Sequence, residues 1–135
     1  MTRPERGACR LGRGPLRAVP GLAIILPACS QGILGTDAFP KHELYGLTSQ
    51  ARRAAFSVTL NIAEGSAKRG DGEFRRYLDI AIGSITELQV ALRLARDRGY
   101  LSNHDWDVLE RLRNHAGALT WLLYKAVSKR KRQEP

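Results

Sequence analysis

The sequence predicts an all-α fold, an up-and-down antiparallel bundle, and three observations support this prediction. Three segments carry apolar residues three and four positions apart, the spacing of one face of a helix. No segment of useful length alternates apolar and polar residues as a half-buried strand does. The connections between the three segments are short, which favours antiparallel neighbours.

The chain has 135 residues, of which 43% are hydrophobic, and this size excludes a second full domain. A chain of this size can bury a core without disulfide or metal staples, so Cys9 and Cys29 need not be bridged. We expect three parts: an irregular segment at 1–35 rich in Gly, Pro and Arg, a helical bundle domain at 36–128, and a basic tail at 129–135.

Helix breakers dominate the first part of the chain. Pro15, Pro20 and Pro27 occur there among several glycines, so no helix longer than about two turns is expected. An alternative interpretation is a secretory signal with a lipoprotein-like cleavage box before Cys29, but Pro20 interrupts its apolar stretch. The longest apolar run, 22–26, is far shorter than the roughly 20 residues of a membrane-spanning helix. We therefore expect a cytoplasmic protein without a membrane partner.

The first regular helix is expected to begin at about residue 44 or 48 and to end at 63. Its apolar face consists of Leu47, Ala51, Ala54, Val58 and Ile62. Gly65 is suited to a left-handed residue that terminates the helix, followed by a loop at 66–72.

The second regular helix, at about 73–98, has the most regular pattern in the chain. Its apolar face consists of Leu78, Ala81, Ile85, Leu88, Leu92 and Ala95. Asp71 is expected to cap its beginning and Gly99 to end it. Further apolar residues widen the buried surface beyond this face, namely Phe74, Tyr77, Ile82, Val90 and Leu94.

The last helix is expected at about 103–128, with Ser102 and Asp105 as an acidic form of the capping box. Its apolar face consists of Leu109, Leu112, Ala116, Leu119, Leu123 and Ala126. Four more apolar residues lie off that face, namely Trp106, Val108, Trp121 and Leu122. They indicate either a second contact surface or a broad bundle core.

Several blocks, in this order, resemble a known bacterial family. They are 44–50, 52–55, 61–65, Phe74, Leu78, Ala81, 83–84, 87–88, Leu92 and 99–101. They are similar to the family called four helix bundle protein, also known as the 23S ribosomal RNA intervening-sequence protein, over roughly residues 36–127.

The resemblance implies a four-helix bundle that assembles as a homopentamer. It also implies kinship with the accessory protein of diversity-generating retroelements, which binds nucleic acid and a reverse transcriptase. Two departures from the family pattern stand out. The expected first helix would be degraded or missing in this chain, and Thr59 stands where members often carry Pro, which should leave that helix straighter.

Charge gives the first indication of function, because 22 basic and 13 acidic residues leave a net charge of +9. Such a surface attracts polyanions, although the charge alone also fits simple solubility. The candidate phosphate-binding cluster consists of Arg52, Arg53, Lys68, Arg69, Arg75 and Arg76. Arg75 and Arg76 are expected in the first turn of their helix, where the helix dipole disfavours cations unless an anion is bound. The alternative is a solvated surface with local pairing, for instance to Asp79.

The tail provides four consecutive cations, Lys129, Arg130, Lys131 and Arg132. They could add phosphate contacts that do not depend on base sequence. The alternative is a frayed basic terminus that stabilises the negative end of the last helix.

The remaining candidates favour structure over chemistry. Asn61 and Glu64 lie three residues apart, but no His, Ser or Cys motif accompanies Glu64, so a role in the helix end is preferred to a catalytic one. Gly83 is expected to permit close helix packing. The histidines have no ligand spacing, and we expect no metal, no cofactor and no enzymatic activity.

The function predicted from the sequence is that of a small basic helical oligomer that binds RNA or DNA, with a role as an accessory to a polymerase as one form of it. The alternative is an adaptor or assembly module that binds only protein.

Overall fold

The computed structural model describes residues 22–133, which form a bundle of four α-helices. The helices are α1 (Leu22–Gly35), α2 (Leu47–Ala67), α3 (Asp71–Asp97) and α4 (Asn103–Gln133), with short 3₁₀ turns at Thr36–Ala38 and Lys41–Glu43. Each helix packs against the next one in the chain, and α1 also packs against α4, which closes the bundle. The described part of the chain contains no strand, so the predicted all-α bundle is confirmed.

Helix α1 lies where the sequence predicted irregular chain, and for 22–35 that prediction is wrong. Pro27 lies inside the helix, although a proline in a helix interior costs about 3 kcal/mol relative to Ala. Ile25, Ala28 and Cys29 are buried against the rest of the bundle, and this burial offsets the local cost. A first helix is therefore present, and within residues 22–133 it is the shortest of the four. The remainder of the predicted irregular segment, 1–21, lies outside the described residues.

Burial also raises the pKa of the Cys29 thiol, and a hydrogen bond with Thr59 opposes that rise. This contact joins α1 to α2. Helix α2 continues without interruption through Thr59. Members of the similar family often carry Pro at this position, so a straighter helix was expected here.

Gly65 does not terminate α2, so that prediction is wrong. The helix continues to Ala67, and the left-handed residue of the connection is Gly70, with φ of 89°. Gly65 is instead a packing residue, because a Cβ at this position would lie 2.6 Å from Tyr77 Cβ and 2.9 Å from Phe74 Cδ2. The lack of a side chain lets α2 and α3 approach closely here.

Helix α3 begins earlier than predicted, and Asp71 is its first residue rather than its cap. The capping position belongs to Gly70, which offers no side chain, so the prediction that Asp71 caps the helix is wrong. Gly83 is also not a close-packing glycine, since a Cβ there would meet nothing within 4 Å. The helix ends at Asp97, followed by Gly99 with φ of 76°.

Helix α4 begins where the sequence predicts, and Ser102 Oγ accepts the Asp105 N–H at 3.1 Å. It then extends to Gln133, so the cations predicted to lie beyond the helix belong to its last turns, and a separate tail is wrong for 129–133. Ala126 is exposed, and Val127 occupies the core in its place. Trp106 is buried, which fits the broad-core alternative, whereas Val108, Trp121 and Leu122 are exposed.

Candidate nucleic-acid interface

The antiparallel packing brings the loop cations and the α4 cations to one end of the bundle. The beginning of α3 lies beside the end of α4, and Arg130 Nε is 3.6 Å from Asp71 Oδ2. We call this region the basic end and define it by Lys68, Arg69, Arg75, Arg76, Lys129 and Arg130. The loop cations and the α4 cations were predicted as two separate groups, because their proximity depends on where α4 ends.

Most of the positive charge at the basic end is accessible. Arg75 is half-buried, and the other five cations are exposed. Among the described residues only two ion pairs form here, Arg130 with Asp71 and Arg76 with Glu73 at 3.2 Å. The Arg76–Glu73 pair is largely exposed to solvent, and such pairs contribute little stability, whereas Asp71 of the other pair is half-buried. The end is therefore an accessible, net positive surface.

Tyr77 organises part of this surface. Lys68 Nζ lies 5.6 Å and Arg76 Cζ lies 5.1 Å from the centre of the Tyr77 ring, within cation–π range. The ring therefore holds a cation of the α2–α3 connection beside a cation of α3.

The predicted conflict between Arg75, Arg76 and the α3 dipole is wrong. Because α3 begins at Asp71, its first turn contains Asp71 and Glu73, which the positive helix end favours. Arg75 and Arg76 lie in the second turn, where the effect of the dipole has declined. Attraction of an anion to this end thus depends on the side-chain cations themselves.

Arg52 and Arg53 do not belong to the basic end, so the predicted cluster of six is wrong. Fifteen residues separate Arg53 from Lys68 along α2, which is about 22 Å at a rise of 1.5 Å per residue. Arg52 is also engaged locally: its Nε donates to Thr36 Oγ1 at 2.7 Å, and its Nη2 donates to Asp37 Oδ1 at 2.9 Å.

These contacts belong to the opposite end of the bundle, which we call the mixed-charge end and define by Asp37, His42, Glu43, Arg52 and Tyr100. Glu43 accepts the Leu47 N–H at 3.1 Å and the Tyr100 hydroxyl at 3.0 Å. These two hydrogen bonds hold the pKa of the Glu43 carboxyl below its usual value. Phe39 packs against Tyr100 with ring centres 5.9 Å apart. The charged groups at this end are therefore mainly engaged in hydrogen bonds and ion pairs with neighbouring residues of the bundle.

The other candidates from the sequence form no ion pair at either end among the described residues, or have side chains outside those described. Lys131 and Arg132 are in the last turn of α4, but their side chains are not among those described. Asn61 Nδ2 donates to Ser57 O at 2.8 Å, and Ser57 Oγ meets Ser84 Oγ at 2.8 Å across α2 and α3. Glu64 is exposed.

The described residues provide neither a metal-ligand cluster nor a membrane-spanning helix. No group of three His, Cys, Asp or Glu side chains within 22–133 could hold a metal ion. Among these same residues, no helix combines the length and the apolar character that crossing a membrane requires.

One feature near the basic end was not predicted from the sequence. Trp121 and Tyr124 stack with ring centres 5.3 Å apart and planes 10° from parallel, and Lys125 Nζ lies 5.6 Å from the Trp121 ring centre. The signal was present in the sequence, because residues three and four apart on a helix are neighbours. The apolar spacing alone predicts Trp121 only as a residue off the packing face of α4.

A protein-family model described as 23S rRNA-intervening sequence protein matches residues 29–121, which is more than half of the chain. The match begins inside α1 and ends inside α4, so it includes the loop cations of the basic end but not Lys129 and Arg130. No curated protein matches the chain.

Proposed function

The chain belongs to the 23S rRNA-intervening sequence protein family, and we propose that it is a binding module for nucleic acid, RNA or DNA, rather than an enzyme. The proposed contacts are to phosphates, at the basic end of the bundle. The family's name associates it with an intervening sequence of ribosomal RNA, which supports a nucleic-acid partner.

The observation that carries the proposal is the convergence of two cation groups that are far apart in the sequence. Lys68, Arg69, Arg75 and Lys129 form no ion pair with any described residue, so their charge is available to a ligand. Cations that neutralise phosphates release condensed counterions, and this release supplies most of the affinity that does not depend on base sequence. Phosphate contacts position a protein on its ligand but carry little base information.

We also propose that the protein works as a homo-oligomer, with the pentamer of the family resemblance as the expected form. Val90 and Leu94 support assembly, because they are 55% and 50% exposed on the outer face of α3. Grooves flank this apolar ridge on both sides, one towards α2 at Leu47 and Gln50, the other towards α4 at Trp106. The same ridge favours the second candidate function, an adaptor that binds only protein.

Binding of a short RNA to the full chain, measured over a range of salt concentrations, separates the two functions. The test variant changes Lys68, Arg69, Arg75 and Arg76 to Gln. The control variant removes the same charge from exposed cations away from the basic end, by changing Lys41, Arg53, Arg93 and Arg111 to Gln.

We expect the test variant to lose most of its affinity and the control variant to retain it. Each lost phosphate contact should make the slope of log affinity against log salt shallower by about 0.7 for a single strand or about 0.9 for duplex DNA. Equal affinity and equal slope in the two variants would overturn the proposed interface. No retention of RNA by the unmodified chain at low salt would favour the protein-only adaptor.

A further inference from the structure

We propose that the stacked pair of Trp121 and Tyr124, together with Lys125, is a base-stacking site for single-stranded nucleic acid. This inference rests on the proposed function and deepens it, because it specifies a single strand, with unpaired bases, as the ligand that the protein binds best.

The geometry of the pair suits a base. The rings are offset and nearly parallel, with centres 5.3 Å apart, and Trp121 remains 48% exposed. Tyr124 packs against the indole, and a further ring can cover the solvent-exposed part of the Trp121 side chain. An unpaired base can reach such a surface, whereas a base within a duplex is already stacked on its neighbours.

The segment of α4 that carries the pair is positive, which favours a polyanion over an apolar protein surface. No Asp or Glu occurs from residue 111 to residue 133. Trp121, Lys125 and Lys129 follow each other at intervals of four, so they line one face of α4 and lead towards the basic end. Lys129 is about 12 Å from Trp121 along the helix axis. A strand with a base on Trp121 would therefore find cations for its phosphates along the same helix face.

This combination of an aromatic platform and a track of cations is the general arrangement for single strands bound without sequence preference. It differs from the phosphate contacts at the basic end in one measurable respect. Stacking on Trp121 adds affinity that does not depend on counterion release, so its loss should lower affinity without changing the salt slope.

The experiment compares binding of a single-stranded oligouridine RNA and of an RNA duplex of equal length to the full chain and to three variants. Trp121→Leu removes the ring but keeps an apolar side chain. Trp121→Phe keeps a ring that can stack. Leu122→Ala is the matched control, since Leu122 is an exposed apolar neighbour that takes no part in the stacked pair.

We expect Trp121→Leu to weaken binding of the single strand about fivefold or more with an unchanged salt slope, and to leave duplex binding as it was. Trp121→Phe should recover most of the affinity, and Leu122→Ala should retain it. Equal single-strand affinity in Trp121→Leu, or equal losses for single strand and duplex, would overturn the inference while leaving the basic end as the interface.

Light scattering provides a second check. A change in the mass of the assembly in Trp121→Leu would show that a second copy of the chain covers this face, and would also overturn the inference. If the unmodified chain binds neither RNA, this inference and the proposed function both fail.

Discussion

Both ends of the bundle carry arginines, but the fold supplies them with different partners. At the mixed-charge end, Arg52 donates to Thr36 and Asp37, and Glu43 accepts from Leu47 and Tyr100. At the basic end, only two ion pairs form among the described residues, and most cations lack an acidic partner. The number of cations in a segment is therefore a poor indicator of a binding surface. The better indicator is whether the fold places acidic or hydrogen-bonding partners beside those cations.

The difference follows from the connections at each end. Residues between α1 and α2 form two 3₁₀ turns, which carry acceptors to Arg52 and place Glu43 beside Tyr100 of the α3–α4 connection. The α2–α3 connection is much shorter and passes through Gly70 with φ of 89°. It provides Lys68 and Arg69 but no acidic residue before Asp71. The basic end is therefore left with excess charge that a ligand can neutralise.

The largest expected effect concerns the close approach of α2 and α3 near the basic end. Gly65→Ala should lower the free energy of unfolding by about 1–3 kcal/mol, because the added Cβ overlaps the positions of Tyr77 and Phe74. Gly83→Ala is the matched control: its Cβ meets open space, so the higher helix propensity of Ala should stabilise the protein by up to about 1 kcal/mol. Urea denaturation of both variants measures the two effects, and a stable Gly65→Ala protein would contradict the packing role of Gly65.

A smaller effect separates the roles of two arginines. Arg52→Gln should cost about 1 kcal/mol of stability, since the hydrogen bond to the buried Thr36 hydroxyl is lost, and RNA affinity should not change. Arg75→Gln should show the reverse, with stability within about 0.5 kcal/mol of the unmodified chain and weaker RNA binding. Denaturation and RNA binding, measured on both variants, check this. An Arg52→Gln protein that loses RNA affinity with full stability would break the distinction between the two ends.

Much of the fold could be predicted from the sequence, because regular apolar spacing over long segments leaves few alternatives. The α3 face from Leu78 to Ala95 is buried along its whole length. The prediction failed where tertiary contacts outweigh local preference. Pro27 and the surrounding glycines favour irregular chain, but Ile25 is fully buried in a helix. Gly65 has the residue type of a helix terminator, yet its role is set by the side chains of α3.

The candidate site could be predicted only in part. Lys68, Arg69, Arg75 and Arg76 lie close together in the chain, so composition was enough to find them. The contribution of Lys129 and Arg130 depends on the length of α4, which continues beyond its last regular apolar position. Arg52 was misassigned because its acceptors, Thr36 and Asp37, lie in a turn whose position relative to α2 is fixed only by the fold.

The most direct test of the central claim is a lysine footprint of the full chain with and without a short single-stranded RNA. Amine acetylation followed by mass spectrometry compares Lys68, Lys125 and Lys129 near the basic end with Lys41 near the mixed-charge end; all four side chains are exposed in the free protein. We expect RNA to slow acetylation of Lys68, Lys125 and Lys129 and to leave Lys41 unchanged. Slower acetylation of Lys41 in the presence of RNA would contradict the account. So would acetylation rates of Lys68, Lys125 and Lys129 that saturating RNA leaves unchanged.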